Sequence, residues 1–218
     1  MEILLLSDIH GHTQHFSALS PVMEEVDLIC LCGDLTSFQG PAAALQVVQA
    51  LKQPMEKIVA VSGNCDNKGV ETALTKQGIG IDGRRVTIKE IDLFGLGGSL
   101  TTPFATPNEF SDRHFKTELQ KATKKGENKN PLVLLSHQPP FKSGADRLSS
   151  GLHSGSKALT DFIDSHMPLA CLTGHIHESR IAKMMGETLI VNPGSFAQGH
   201  WARVHITPTR AQAELHTL

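Results

Sequence analysis

The chain is poor in cysteine, has no basic excess and carries no long apolar run, and each shortage removes a class of protein. Four cysteines (Cys30, Cys32, Cys65, Cys171) among 218 residues are too few for a secreted disulfide framework. Three of them lie inside apolar runs, where cysteine behaves as a small buried hydrophobe. Twenty Lys and Arg face 22 Asp and Glu, for a net charge of −2. That excludes a generic polyanion binder and leaves no strong nucleic-acid signal. No stretch approaches the roughly 18 apolar residues of a membrane span. The run Ile3-Leu4-Leu5-Leu6 is far shorter than the ~7–15 residues of a signal-peptide core. A cytoplasmic protein with no membrane partner is expected. Glycine and proline, 19 and 11 residues, are too few for low complexity. Tyrosine is absent and tryptophan occurs once, whereas histidine occurs 12 times. Histidine is a common metal ligand and general acid or base, so its positions are where chemistry is sought.

With 39% hydrophobic and 19% charged residues, the chain is long enough for a full core, and a single domain over residues 1–218 is expected. Short apolar runs recur: Ile3-Leu4-Leu5-Leu6, Leu28-Ile29-Cys30-Leu31-Cys32, Ile58-Val59-Ala60-Val61, Leu132-Val133-Leu134-Leu135 and Leu169-Ala170-Cys171-Leu172. Four or five apolar residues without alternation suit strands buried on both faces. Between them lie helical stripes. Phe16, Leu19, Val22, Met23 and Val26 form the first, Ala44, Val47, Val48 and Leu51 the second, opened by Pro41. Ala158, Leu159, Phe162 and Ile163 form a third, which stops before Pro168. The first three strands thus alternate with helices, the βαβ signature. The second half is mixed. A turn at Asp82-Gly83 precedes strands near residues 86–89 and 93–96, and four further strands are expected at 180–184, 188–191, 202–206 and 211–216. Residues 116–130, with five lysines, read as a solvated helix and loop. Residues 97–110 show no periodicity, and irregular stretches of that length often serve as lids.

The residues just after each buried run carry the information. The first run leads into Asp8-Ile9-His10-Gly11, the second into Gly33-Asp34 and the third into Ser62-Gly63-Asn64-Cys65-Asp66. The fourth is followed by Ser136-His137 and the fifth by Gly174-His175-Ile176-His177. Ligand sites in open α/β sheets lie outside the carboxyl ends of the strands, where these side chains would converge. Asp8 with His10, and His175 with His177, are i,i+2 pairs, which an extended segment would point to one side. Carboxylates with imidazoles suit Mn, Fe, Zn or Ni, and the cysteines are not placed as a structural zinc–thiolate site.

These residues, in this order, resemble the motif set of the calcineurin-like metallophosphoesterases: Asp8-x-His10, Gly33-Asp34, Gly63-Asn64, His137 and Gly174-His175-x-His177. The match spans residues 8 to 177. Gly63-Asn64-Cys65-Asp66, Gly97-Gly98-Ser99 with Thr102-Pro103-Phe104, His153-Ser154-Gly155-Ser156-Lys157 and Asn192-Pro193-Gly194-Ser195 resemble a small bacterial and archaeal branch of predicted phosphoesterases. The resemblance implies an α/β fold of four layers, two facing mixed sheets flanked by helices. It also implies two divalent metal ions, manganese favoured, with Fe, Zn or Ni as alternatives. Asp8, His10, Asp34 and His177 would hold one, Asp34 would bridge, and Asn64, His137 and His175 would complete the second. A hydroxide held between two such ions can attack phosphorus in line, so the expected activity is hydrolysis of phosphoesters, with a small phosphodiester favoured. Asp34, Asn64 and His137 are then the expected catalytic residues. His153, in a Gly/Ser-rich loop before a helix, is a further candidate, with Asn64, for contact with substrate.

One position departs from the wider family, which mostly reads Gly-Asn-His-Asp or Gly-Asn-His-Glu; that histidine is thought to assist the leaving group. Here Cys65 fills the slot, and a thiol is a weak proton donor beside an imidazolium. Asp66 is expected to support His10 or a neighbouring turn. Residues 10–15, His-Gly-His-Thr-Gln-His, come one change from the His-x-His-x-Asp-His of metallo-β-lactamase-fold hydrolases. That reading leaves Asp34, Asn64 and His175 without a role. A cysteine-nucleophile phosphatase needs an Arg six residues after a Cys, and Thr36, Phe38, Glu71 and His177 stand there instead. The remaining alternative is a metal-binding interaction scaffold of the same fold with little catalysis. A homo-oligomer is compatible with the sequence.

Overall fold

The computed structural model describes residues 1–123 and 130–218. Its first half follows the βαβ reading: β1 (Glu2–Leu6), α1 (Ser20–Glu25), β2 (Leu28–Cys32), α2 (Pro41–Ala50), β3 (Ile58–Val61) and α3 (Val70–Lys76). Then come β4 (Arg85–Ile88), β5 (Ile91–Leu96), the two-residue strands β6 (Ser99–Leu100) and β7 (Glu109–Phe110), and α4 (Asp112–Leu119). The chain continues with β8 (Leu132–Ser136), α5 (Lys157–His166), β9 (Ala170–Thr173), β10 (Ile181–Met185), β11 (Thr188–Asn192), β12 (His200–Thr207) and β13 (Arg210–Thr217).

The strands form two mixed sheets, ordered β13-β12-β1-β2-β3 and β10-β11-β9-β8-β5-β4, with β6 and β7 paired apart from them. In the six-stranded sheet the parallel strands are central and β10 and β4 are antiparallel edges, whereas in the five-stranded sheet β1, β2 and β3 run parallel to the β3 edge and β12 and β13 are antiparallel on the other side. Side-chain parity builds the layers, because successive residues of a strand face opposite ways. Ile3, Leu5, Cys30 and Val61 of one sheet pack with Leu93, Val133, Leu135 and Leu172 of the other in a core between the sheets. Leu4, Leu6, Ile29 and Ala60 face outward under Met23, Val47, Val48 and Leu74 of the helices. On the opposite outer face Phe94, Leu134 and Cys171 lie under Phe115, Leu159 and Phe162. Both faces are therefore covered, which explains runs without alternation.

The first helical stripe does not form one helix. Thr13–Leu19 is a 3-10 segment and α1 begins at Ser20. Pro21 sits in the first turn of α1, where its missing N–H breaks no hydrogen bond, and it cannot extend the ladder of the preceding turn. Helix α3 has no counterpart in the sequence reading; Val70 and Leu74 alone give a two-point stripe. The lysine-rich stretch begins in α4 and the 3-10 segment Gln120–Thr123, and its residues 124–129 lie outside the described residues. Residues 97–110 are less irregular than expected, since β6 and β7 pair within them. Cys30, Cys32 and Cys171 are buried and free, and Cys65 is half-buried. Among the described residues no helix is long and apolar enough to cross a membrane.

Candidate metal centre

The ends of β1, β2 and β3 on one sheet and of β8 and β9 on the other open onto the same place, and their following residues meet there. Three overlapping groups have ligand atoms within 4.8 Å of one another: Asp8, His10 and His177; Asp8, Asp34 and His137; and His10, Asp34 and Cys65. Asp34 faces both ways. Its Oδ2 lies 3.7 Å from Nε2 of His10 and its Oδ1 lies 3.6 Å from Nε2 of His137. Nε2 of His137 is 2.9 Å from Oδ1 of Asn64. The His175 ring lies 5.2 Å from that of His137, and the His10 and His177 rings are 5.4 Å apart. All seven expected ligands are thus assembled, with His175 on the His137 side and His177 on the Asp8 side.

The i,i+2 pairs reach this place by a route other than the extended one expected. Asp8, His10, Asp34 and His175 have φ of 55°, 51°, 50° and 69°. An extended segment would carry the chain away from the strand end, whereas left-handed residues fold it back across. Each such residue costs about 1–3 kcal/mol and persists only where its surroundings impose it. Here the imposition comes from neighbouring loops. Asp8 N–H donates to Gly33 O at 3.1 Å and His10 N–H to Asp34 O at 2.9 Å. Close approach also demands glycine at 63, where a Cβ would come within 2.0 Å of Asp34 Oδ1.

Further contacts fix which atom of His137, His10 and Asn64 faces inward. Nδ1–H of His137 donates to Cys32 O at 2.8 Å and Nδ1–H of His10 donates to Thr36 O at 3.3 Å, so both rings turn Nε2 toward Asp34. Nδ2–H of Asn64 donates to Thr106 Oγ1 at 3.0 Å, which leaves Oδ1 facing His137. Thr106 donates onward to Glu109 Oε1 at 2.7 Å. Ser7 Oγ and the His175 N–H donate to Asp8 Oδ2 at 2.7 and 3.1 Å. Asp66 accepts from Leu35 N, Thr36 N, Thr36 Oγ1 and Gly63 N, so it braces the turn after β2 and makes no bond to His10. The Asn192-Pro193-Gly194-Ser195 segment is a clamp: Asn192 Nδ2 donates to Ile176 O and Ser195 Oγ to Asp8 O.

The electrostatics of the site are set by its buried carboxylates and the imidazoles beside them. Burial alone would raise the Asp8 carboxyl, but His177 and the charge on His137 hold it well below the usual range. Asp34 is likewise raised by burial and brought down further by His137. Burial lowers His137, yet Asp34 overrides it and lifts the imidazolium to about 9. Burial, with the neighbouring His137 charge, pushes His175 down to about 4. Burial and Asp34 raise the Cys65 thiol. The donor set fits divalent ions. Asp8 Oδ1 is buried without a hydrogen-bond partner although His177 Nε2 stands 3.2 Å away. The His137 imidazolium places Nδ1–H on Cys32 O and Nε2–H on Asn64 Oδ1, and a bound cation would take the place of that Nε2 proton between two ligand atoms.

His153 stands apart from the seven. Its Nδ1 lies 3.0 Å from Asp146 Oδ1 and its ring meets Phe141 edge-on at 5.8 Å. Its loop touches the site's surroundings through Gln138 Nε2, which donates to Ser154 O at 2.9 Å. His12 and His15 are not drawn in either; His12 contacts Gln14 and His15 packs against Phe196. Sequence reasoning missed Thr106 and Asn108, whose N–H donates to Asn64 O at 3.1 Å. The only signal for either was the lack of periodicity in residues 97–110.

Two mixed sheets lie between helical layers, with carboxylates and imidazoles gathered at the strand ends. The family model for the calcineurin-like phosphoesterase superfamily domain matches residues 1–215, and the chain belongs to that superfamily. It is 34% identical over 201 residues to the uncharacterized protein MJ1162 of Methanocaldococcus jannaschii, covering 88% of each chain. Among solved structures, TT1561 of Thermus thermophilus superposes with a TM-score of 0.74 at 17% identity, over 98% of this chain and 97% of that one. A dimetal phosphatase from Danio rerio gives 0.66 at 12% identity over 100% and 96%. A novel archaeal phosphodiesterase gives 0.56 at 16% identity over 99% and 100%. At these identities the structural likeness speaks for the fold.

Proposed function

We propose that the protein is a dinuclear metal-dependent phosphoesterase that favours phosphodiesters with good leaving groups. The observation that carries this is Asp34, whose two oxygens face two different imidazoles, His10 and His137, as a bridging carboxylate must. Asp8, His10, Asp34 and His177 would hold one ion, and Asp34, Asn64, His137 and His175 the other. When bound, two such ions clamp the phosphoryl oxygens and bring the ionisation of a water toward neutrality. Manganese is the favoured metal in this reading, with iron, zinc or nickel as alternatives. The chain's own residues orient the site. Asn64, fixed by Thr106, presents its amide oxygen inward.

Among the described residues, the side chains that hydrogen-bond to those of the seven from outside the set, Ser7, Cys65 and Thr106, carry no positive charge. A diester has one negative charge and suits such a wall, whereas the second charge of a monoester finds no further cation. Cys65 supplies no imidazolium to protonate a departing alkoxide, and a positioned general acid is typically worth about 10²–10⁴-fold. Esters of nitrophenols expel a stable anion and lose little. His153 would reach the substrate from the loop before α5.

The test is a panel of phosphodiesters and phosphomonoesters assayed with Mn²⁺ on protein of measured metal content. Nitrophenyl diesters should be turned over faster than alkyl monoesters, and the reverse order would refute the leaving-group argument. Metal-loaded protein inert on every ester would favour the interaction scaffold. His153→Ala should change kcat or KM with metal content kept; unchanged values remove His153 from the site.

A further inference from the structure

Cys65 is the one cysteine that does not sit within a strand, and it is the one placed among donors. Its side chain belongs to the group formed with His10 and Asp34, whose ligand atoms all lie within 4.8 Å of one another. Nitrogen and oxygen ligands stand about 2.0–2.2 Å from zinc and a thiolate about 2.3 Å, so ligands of one ion can lie up to roughly 4.5 Å apart. The spacing is therefore that of a shared ion, with small closure on binding. The backbone holds the thiol there. Cys65 N–H donates to Asp34 Oδ1 at 2.7 Å, and Cys65 O accepts from Phe38 N–H at 3.0 Å. The surroundings are polar as well: Asn64 Nδ2 lies 3.5 Å from Sγ. Cys30, Cys32 and Cys171 are buried in the sheets and stand in none of the donor groups among the described residues.

We propose that Cys65 is a further ligand, binding through its sulfur the ion that His10 and Asp34 hold. This rests on the reading that the pocket takes divalent metal. In the step itself the S–H bond breaks, its proton leaves to solvent, and the sulfur electron pair forms the bond to the metal; no oxidation state changes. Two consequences can be read from this. A soft thiolate would make Zn²⁺, Fe²⁺ or Co²⁺, rather than the manganese favoured above, the preferred ion on the His10 side, and leave the preference of the other position unchanged. A sulfur bound to metal has no proton to give, so the position that elsewhere carries a histidine acts here as part of the metal centre.

Cobalt(II) substitution of the full-length, chelator-stripped protein tests this without recourse to activity. Metal analysis and the visible ligand-field bands report occupancy, and a near-ultraviolet sulfur-to-cobalt charge-transfer band reports a thiolate ligand. Wild type should show the charge-transfer band. Cys65→Ser and Cys65→Ala should lose it while retaining visible bands, and both should bind Zn²⁺ more weakly with Mn²⁺ binding changed little. Cobalt bound without the band, or a band that survives in Cys65→Ser, overturns the ligand role and leaves the metal centre standing. Protein that binds no cobalt overturns both.

Discussion

Replacing Asp34 by asparagine keeps the shape of the side chain and removes one oxygen, and the structure says which. Oδ1 accepts the Cys65 N–H at 2.7 Å, so an amide nitrogen placed there would set donor against donor. The amide carbonyl of the Asp34→Asn variant must therefore keep the Oδ1 position, and its NH₂ takes the place of Oδ2, which lies 3.7 Å from His10 Nε2. Asp34→Asn should strip the ion on the His10 side and weaken the other. In wild type, metal at 100 times its Kd adds about 2.7 kcal/mol to stability. At about 2–4 °C per kcal/mol for a chain of this size, Tm should rise by about 5–11 °C. If affinity falls 100-fold, the same metal concentration adds only about 0.4 kcal/mol, or about 1 °C. Metal-free Asp34→Asn should itself be less stable than wild type at neutral pH, because His137 attracts the charge that is removed more strongly than Asp8 repels it. Thermal melts with and without Mn²⁺, with metal analysis, read both effects. Two bound equivalents and an undiminished shift in Asp34→Asn would refute the bridging role. Equal damage from His15→Ala would restore the rival reading of residues 10–15.

Three more expectations rest on separate contacts. Gly63→Ala would place a Cβ 2.0 Å from Asp34 Oδ1 and 2.1 Å from its backbone nitrogen, so the two loops must part; a loss of about 1–3 kcal/mol in denaturant melts is expected, with metal binding weakened. Thr106→Val leaves Asn64 Nδ2 only the weak Cys65 sulfur as acceptor and should weaken metal binding by about 10–100-fold, whereas Thr106→Ser should restore it; titration with Mn²⁺ separates them. Asp82, raised by burial to about 7 and with Oδ1 lacking a partner, bonds Ser62 and faces Glu71 of α3, Arg84, His114, Glu118 and Lys121. Its proton stays on in the folded chain after the unfolded chain has lost it, so between about pH 4 and 7 stability falls as pH rises. Asp82→Asn should therefore gain on wild type across that window, by up to about 4 kcal/mol at pH 8, and a gap independent of pH would refute it.

Much of this site was legible because two kinds of pattern coincide. Runs such as Leu28-Ile29-Cys30-Leu31-Cys32 have no polar face, so both sides must be covered, and that alone implies a layered α/β protein. The polar residues just beyond them, Asp8, Asp34, Asn64, His137 and His175, then fall at one edge by topology. What was not legible is conformational. Nothing in Asp8-Ile9-His10 announces that both polar residues take positive φ, since the cause lies in hydrogen bonds to Gly33 and Asp34 from another loop. Thr106 was hidden for a similar reason: it meets Asn64 across 42 residues, from a segment with no apolar repeat to read. Pro21 split the first helix while leaving its apolar stripe intact, because the stripe records burial and is indifferent to the hydrogen-bonding ladder behind it.

The two sheets divide the labour of the site, and that division bears on how it is held. Asp8, His10, Asp34 and Asn64 follow strands of one sheet; His137, His175 and His177 follow strands of the other. Neither sheet alone carries a set that could hold two ions. The seam between them is therefore part of the centre, and it is closed by bonds as well as by packing. His137, at the end of β8, donates to the carbonyl of Cys32 at the end of β2, and the Cys32 thiol in turn donates to Leu172 O in β9 at 3.4 Å. His175 N–H, after β9, donates to the Asp8 carboxylate after β1. The His137 and His175 bonds each tie a candidate ligand of one sheet to the other, and the Cys32–Leu172 bond braces the seam beside them. On the proposed reading, metal affinity and the packing of Leu5, Val61, Leu135 and Leu172 in the central core would both report one thing, the register of the sheets at their carboxyl ends.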